Sequence, residues 1–532
     1  MNRLAVSSHF TDRGPGSEPA RPLARPLRVT RDDTAAPLTG SGRVLAEHED
    51  WTNEGDENVL NRSFIIGRCG FRFRARLGVV LVAGLAVLPV TARAQHDPRV
   101  EPANAYVVRG ATVHTLAGEA IEDGIVVIRD GRIVEVGPGV SVPQGASVID
   151  AAGMHVYPGM IDAFSRLGLT EIGSVDMTQD SDELGNWNPH LSAYTAIHPA
   201  SEHIPVARAN GLTDALIAPG SGGGFRGGGE GGIPGEAALA HLDGWTVEEM
   251  AIEPAAAMIV EWPVLQTRRF DFSTRSVRER SFSEAKKEYD ERLGTLEDWL
   301  DAARHYRQAV ERGDASKFRR DVQLEHLARV LGGELPVIAV VNDVRGIEDA
   351  IDLAQRYKLR MILAGVRDAR EVKDMLAEKD IPVILGPSQA LPNDEDDPYL
   401  DPFSLAGELH AAGVKIAFGT FNSSDTRTLP YEAASTVPVG LPREEALRAV
   451  TVNAAEILGV ADRLGTIEPG KLANLIITDG DPLEIQTSFE YVFIHGIPVD
   501  TNNRHRKLWE LYKSRPAPEE TPVTTTSRTN GG

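Results

Sequence analysis

Five short apolar runs in the middle of the chain, most of them closing on Gly, Pro or Asn, constrain its fold more than any other feature. They read TDALIAPG (213–220), LPVIAVV (335–341), RMILAG (360–365), IPVILGP (381–387) and VKIAFGT (414–420). Helix-like segments, RGIEDAIDLAQRYK, DAREVKDMLAEKD and DPFSLAGELHAAG, separate the later ones. Runs this short with no polar face suit strands buried on both sides of a parallel sheet, and parallel strands need a crossover, usually a helix. The expected fold class is therefore α/β. Regular alternation over this length points to a (β/α)8 TIM-type barrel, with a doubly wound open sheet as the alternative.

Two β-rich pieces flank that region. AYVVRGATVHTL and GIVVIRDGRIVEVGP alternate apolar and polar residues, with Asp130-Gly131 between two strand-like runs. That is a hairpin signal. The pattern returns in LGTIEPGKLANLIITDGDPLE and EYVFIHGIPVD near the other end. The simplest arrangement packs residues 100–157 and 462–505 together as one small β-sandwich. A barrel then occupies 158–461, and 506–532 form a disordered tail. Residues 281–313 interrupt the alternation. Leu293, Leu296, Leu300, Ala303, Tyr306 and Val310 recur there at helical spacing, which predicts a helical insertion on the outside of the barrel.

The first 94 residues do not belong with the rest. Residues 1–67 lack sustained periodicity and read as disordered or as an over-extended start. Residues 68–94 run from a basic stretch, RCGFRFRAR, through the apolar LGVVLVAGLAVLPV, to Ala92-Arg93-Ala94. This is the order of a signal peptide, and the apolar run falls short of the ~20 residues of a membrane span. Export to the periplasm is expected, with cleavage after Ala94 and no stable membrane span after processing. Cys69 is the single cysteine and leaves with the leader, so disulfides and thiol catalysis are excluded. The net charge of −22 argues against nucleic acid and anionic membrane surfaces as partners.

Four further stretches carry a resemblance: VIDAAGMHVYPGMIDA (148–163), APGSGGGFRGGGEGG (218–232), LPYEAASTVPVGLPREEALRAVTVNAAEILGV (429–460) and DRLGTIEPGKLANLIITDGDPL (462–483). With the hairpins, they resemble the metal-dependent amidohydrolase superfamily, nearest to its imidazolonepropionase-like members. The resemblance implies a barrel with a split sandwich and hydrolysis of non-peptide C–N bonds. It also implies zinc at the barrel mouth, held by a His-x-His pair on the first strand, two later His and an Asp on the last strand. Here the pair reads Phe164 and Arg166. The later positions read Val340 or Val341 followed by Asn342, then Ala364-Gly365-Val366, and finally Phe421. Phe and Val offer no lone pair, and Arg carries a fixed positive charge. On this reading no cofactor is expected. Catalytic residues remain unknown, and the candidate pocket is Asp162, Phe164, Arg166, Asn342, Phe421 and Asp425.

Other stretches invite chemistry and have plainer readings. His190, His198 and His203 form a loose metal alternative, but Pro199 and Pro205 break any single helix, and capping or surface roles compete. The Gly-rich segment 220–235 lacks the Gly-Lys-Ser/Thr ending of a phosphate cradle. Its Arg226 is a possible contact for an anion. Asp394, Glu395, Asp396 and Asp397 do not fit a calcium loop and read as a solvated acidic loop. Arg166 has two readings, an ion pair with Asp162 or Asp425, or a fork for a ligand carboxylate. Three functions follow. One is a non-catalytic binding or partner subunit, in a homo-oligomer or beside an active paralogue. Another is a C–N hydrolase with relocated ligands. The third is a cell-envelope binding protein for a small molecule.

Overall fold

The computed structural model describes residues 96–220, 229–271, 275–313, 319–391 and 398–516. The expected leader, Arg226, the acidic residues 394–397 and most of the expected tail lie outside the described residues. Among the described residues, no helix is long and apolar enough to cross a membrane.

The two β-rich pieces share one sheet. Its strands run in the order Ile497–Val499, Phe489–Ile494, Leu475–Thr478, His155–Pro158, Ala105–Val113, Ile121–Arg129, Arg132–Pro138, with Ser147–Asp150 also on Ala105–Val113. The two ends of the chain join where Leu475 lies opposite Pro158 and Thr478 opposite His155. The sheet then curls back on itself. The Ile133 N–H donates to the Lys471 carbonyl at 2.9 Å, and the Gly470 N–H donates to the Ile133 carbonyl at 2.8 Å. Val108, Val113, Val126, Ile128, Val156, Leu475, Ile477 and Phe493 fill the inside. Asp130 and Gly131 turn the predicted hairpin at φ 51° and 78°, the left-handed pair that a two-residue turn of this hand requires.

The second sheet is a nearly closed barrel. Its eight described strands run Ile416–Phe418, Val383–Leu385, Met361–Gly365, Val337–Val341, Ala251–Glu261, Gly232–His241, Leu212–Ile217, Met160–Ser165. Closure comes from the Phe421 N–H, which donates to the Phe164 carbonyl at 2.8 Å. One strand departs from the expected all-parallel pattern, because Gly232–His241 runs antiparallel to both neighbours. The cause is the connection. Among the described residues the only helix between Leu212–Ile217 and Ala251–Glu261 is the single turn Val247–Met250, and antiparallel strands need no longer crossover.

The barrel interior is packed. Ile161, Leu216, Leu239, Ile259, Ile338, Ile362 and Ile384 meet there, and Ala454, Ala455 and Ile457 of the helix Val452–Ile457 join the same cluster. The insertion is a 30-residue helix, Phe282–Glu311, started by a capping box between Ser281 and Glu284. It buries Leu296, Leu300 and Ala303 as expected, while Val310 stays exposed.

Beneath the barrel a buried polar knot ties the two sheets together. Asp214 accepts from Thr213 Oγ1 at 2.7 Å and from Asn474 Nδ2 at 2.8 and 2.9 Å, and it meets His241 Nδ1 at 2.6 Å. Asn474 enters from the small sheet, and its side-chain oxygen accepts the His495 N–H at 2.8 Å. The knot lies at the N-terminal end of Leu212–Ile217, which in barrels is the end that serves stability.

Candidate functional site at the barrel mouth

The strand Met160–Ser165 delivers the first group of side chains to the mouth. Asp162 is fully buried and does not face a cation. Its Oδ1 accepts from the N–H groups of Phe164 and Thr420, each at 3.1 Å, and its Oδ2 accepts from Thr420 Oγ1 at 2.5 Å. Asp162 thus clips the last barrel strand's exit to the first strand. Burial pushes its carboxyl up to about 7, against the lowering effect of these hydrogen bonds.

Phe164 is buried and stacks on Phe421, with centroids 4.4 Å apart and planes at 20°. The backbones approach closely beneath that stack. A Cβ on Gly419 would lie 2.7 Å from Phe164 Cβ and 2.9 Å from its nitrogen. Phe421 itself is held at φ 58°, a left-handed conformation that is costly for an aromatic residue.

Arg166 follows directly. Its Nε and Nη2 are buried and have no hydrogen-bond partner among the described residues. Burial lowers its pKa, and the charges of Glu261 and Asp182 oppose that shift. The expected ion pair with Asp162 or Asp425 does not form. Asp162 is committed to Thr420 and backbone amides, and Asp425 sits on an exposed loop, where its Oδ2 accepts from Asn422 Nδ2 at 2.5 Å.

Beside this group lies a cavity of about 430 Å³ at the C-terminal ends of the last four barrel strands. This is within the roughly 300–1,000 Å³ of small-molecule sites. Val340, Leu385, Phe418 and Phe421 form its apolar wall, and Asn342, Arg367, Asp368 and Thr420 are among its polar groups. Four members of the predicted pocket, Asp162, Phe164, Asn342 and Phe421, therefore stand in or directly behind the wall of one mouth. Arg166 stands at its first-strand side, and Asp425 lies outside.

The histidine alternative is not assembled. His198 is exposed, His203 donates a ring N–H to the Glu171 carbonyl at 2.9 Å, and His190 keeps a buried Nδ1 without a partner. Glu261 is the residue that sequence reasoning missed. It ends the strand Ala251–Glu261, whose run AAAMIV closes on Glu-Trp, so the Gly, Pro or Asn signal used for the other strands was absent.

The cavity lies at the C-terminal mouth of the barrel, the face where barrel enzymes of many chemistries carry their sites. Residues 366–501 match the Amidohydrolase family model. Over 405 residues it is 28% identical to the imidazolonepropionase of Sphingopyxis alaskensis, covering 70% of this chain and 92% of that one. Over 403 residues it is 25% identical to the amidohydrolase tasK of Hapsidospora irregularis, covering 71% of this chain but only 39% of that longer protein. An amidohydrolase from Thermotoga maritima shares the fold, with a TM-score of 0.64 at 24% identity over 74% of this chain and 99% of that one.

These relatives correct the expectation of no cofactor. The homologues are metal-dependent amidohydrolases. A metal is thus the cofactor that the family brings with it. The side chains at the positions that the resemblance assigns to its ligands do not fit one. Phe164, Val340, Val341 and Phe421 have no donor atom, Arg166 is cationic, and Asn342 is neutral. Among the described residues no group of three or more His, Cys, Asp or Glu is placed to hold a metal ion.

Proposed function

We propose that this is an exported amidohydrolase-family protein whose mouth binds a small amide- or peptide-like molecule bearing a carboxylate, and that it acts as a binding or partner subunit with a degenerate form of the family's hydrolytic site. Export is supported by the basic–apolar–Ala-Arg-Ala order of residues 68–94.

One observation carries the reading of the site. The two unpartnered atoms of Arg166, Nε and Nη2, form the side-on edge of the guanidinium. That edge matches the two oxygens of a carboxylate. The same chain supplies a reference, because Arg99 sets this edge on Asp97 with Nε and Nη2 donating at 3.1 and 2.7 Å. Leaving charged donors buried and unmet costs about 1–3 kcal/mol or more, and a ligand carboxylate removes that cost. The adjoining apolar wall of Val340, Leu385, Phe418 and Phe421 suits a hydrocarbon substituent on the same ligand.

The test is calorimetry with N-acyl amino acids and their primary amides. The acids should bind, the amides should bind at least about ten-fold more weakly, and Arg166→Gln should erase the difference. Equal affinity for acid and amide, or unchanged binding by Arg166→Gln, refutes the reading. The homologues favour a second reading, hydrolysis of C–N bonds in such substrates with ligands drawn from other residues. Chelator-sensitive product release in the same titrations selects it. Export is checked separately by the N-terminus of the protein from its native host, which should begin at Gln95.

A further inference from the structure

The helix Arg504–Lys513 stands bare on the small sheet's side of the molecule. It is not a fraying end. Asn503 caps it by accepting the Arg506 N–H at 3.1 Å, and Asn503 and Thr501 at its root are buried. Yet none of its residues is buried, and Trp509, Leu511 and Tyr512 are 59%, 60% and 49% exposed. It is also basic. Arg504, Arg506, Lys507, Lys513 and Arg515 face one acid, Glu510, in a chain of net charge −22. Lys513 lies 4.2 Å from the centre of the Trp509 ring and Arg515 4.0 Å from that of Tyr512, so charge and aromatic surface form one face.

The complementary surface is at the other end of the barrel. The lip that follows the first strand exposes Ile172, Met177 and Leu184 at 53%, 94% and 97%. It also carries exposed Asp182 and Glu183, and no Lys or Arg occurs in residues 167–207. One surface is apolar and basic, and the other is apolar and acidic. They cannot meet within one chain. The helix is rooted near the N-terminal end of the barrel, where Asp500 accepts from Arg208 Nη2 at 2.9 Å, and the lip crowns the C-terminal mouth.

We propose that the helix Arg504–Lys513 of one chain docks on the lip of a second copy, so that two chains pair antiparallel with two equivalent contacts about one two-fold axis. An isologous pair of this kind closes on itself. Charge decides the occupant. The acidic body that carries the helix is repelled by an anionic bilayer and attracted by the basic helix of another copy. The docked helix then lies beside Asp182, whose charge acts on Arg166, so pairing bears on the mouth. This inference does not depend on what the mouth binds.

The experiment is sedimentation of the purified protein with engineered cross-linking. In a Cys69→Ser background, one preparation carries Met177→Cys and another Leu511→Cys, each then holding a single thiol. A short bismaleimide should join the two only when they are mixed. Trp509→Asp with Leu511→Asp, both at exposed positions, should weaken dimerisation by at least about ten-fold without changing the circular dichroism. Added salt should weaken it further. Three results overturn the proposal: a monomer at all concentrations, a dimer indifferent to the double substitution, or helix-dependent capture of anionic vesicles by a monomer.

Discussion

Replacing Asp162 by Asn should abolish a large part of this protein's loss of stability with rising pH. Asp162 is fully buried, accepts three hydrogen bonds and does not face a cation, while Glu432 nearby adds a like charge. Burial raises its carboxyl from the ordinary 3.8 to about 7. Between those values the folded chain holds a proton that the unfolded chain has released. Stability from this group is therefore complete below about pH 4, declines as pH rises, and is lost once pH passes about 7. A rise of roughly 3 units at 1.36 kcal/mol each sets a ceiling of about 4 kcal/mol. That is a large share of the 5–15 kcal/mol of a typical fold.

The Asn variant keeps the geometry. Its Oδ1 accepts the same two backbone amides. Its Nδ2 takes the place of the second oxygen and donates to Thr420 Oγ1, whose hydroxyl turns toward the Asn422 carbonyl, 3.4 Å away. Urea midpoints of both proteins should be measured from about pH 4 to about pH 8 and compared as a difference, because other carboxylates titrate equally in both. Near pH 4 the wild type should match or exceed the variant. Near pH 8 the variant should be the more stable, by up to about 4 kcal/mol. A difference that stays flat within about half a kcal/mol would mean that burial does not govern this carboxylate, and it refutes the argument.

Two other substitutions test the molecule at opposite ends of the barrel. Arg166→Met should raise stability by about 1–3 kcal/mol, read as a higher denaturation midpoint, because it removes buried donors that no described residue satisfies. A loss of stability would show that the guanidinium already has a partner. Asn474→Leu should cost about 3 kcal/mol or more, since it strips Asp214 of two hydrogen bonds and leaves the His495 N–H unmet. It should also loosen the hairpin Ile121–Arg129 to Arg132–Pro138, visible as faster amide exchange, because both ends of the chain share that sheet.

How much of this was legible depended on which signal each element carried. Most of the five apolar runs that pointed to the barrel announced themselves by closing on Gly, Pro or Asn, and all five are strands or contain one. The strands Gly232–His241 and Ala251–Glu261 escaped. GIPGEAALAH and AIEPAAAMIVE are rich in Ala and interrupted by Pro and Glu, and Ala has little strand preference. Their place in the barrel comes from tertiary pairing with Leu212–Ile217 and Val337–Val341, which no local pattern records. The reversed strand was hidden for the same reason. The turn Asp130-Gly131, by contrast, needs only two positive φ angles, and its residue types state that need directly.

The mouth divides along the same line. Phe164, Asn342 and Phe421 were singled out by the family resemblance, as the places of its ligands, and they come together here because each sits at the end of a barrel strand. The partner of Arg166 could not be read in that way. A buried cation implies a nearby acid, so Asp162 and Asp425 were the natural choices from sequence. What excludes them is competition. Thr420 and two backbone amides hold Asp162, and Asn422 holds Asp425. Each acid had found its donors from the last strand's exit before Arg166 could claim it. A hydrogen-bond economy of this kind is settled by distances of a few tenths of an ångström. It leaves the side-on edge of Arg166 as a buried polar group at the mouth that no described residue partners. A protein that needed this arginine only for its fold would gain stability by losing it, so the cost of keeping it is the strongest physical argument that its partner is a ligand.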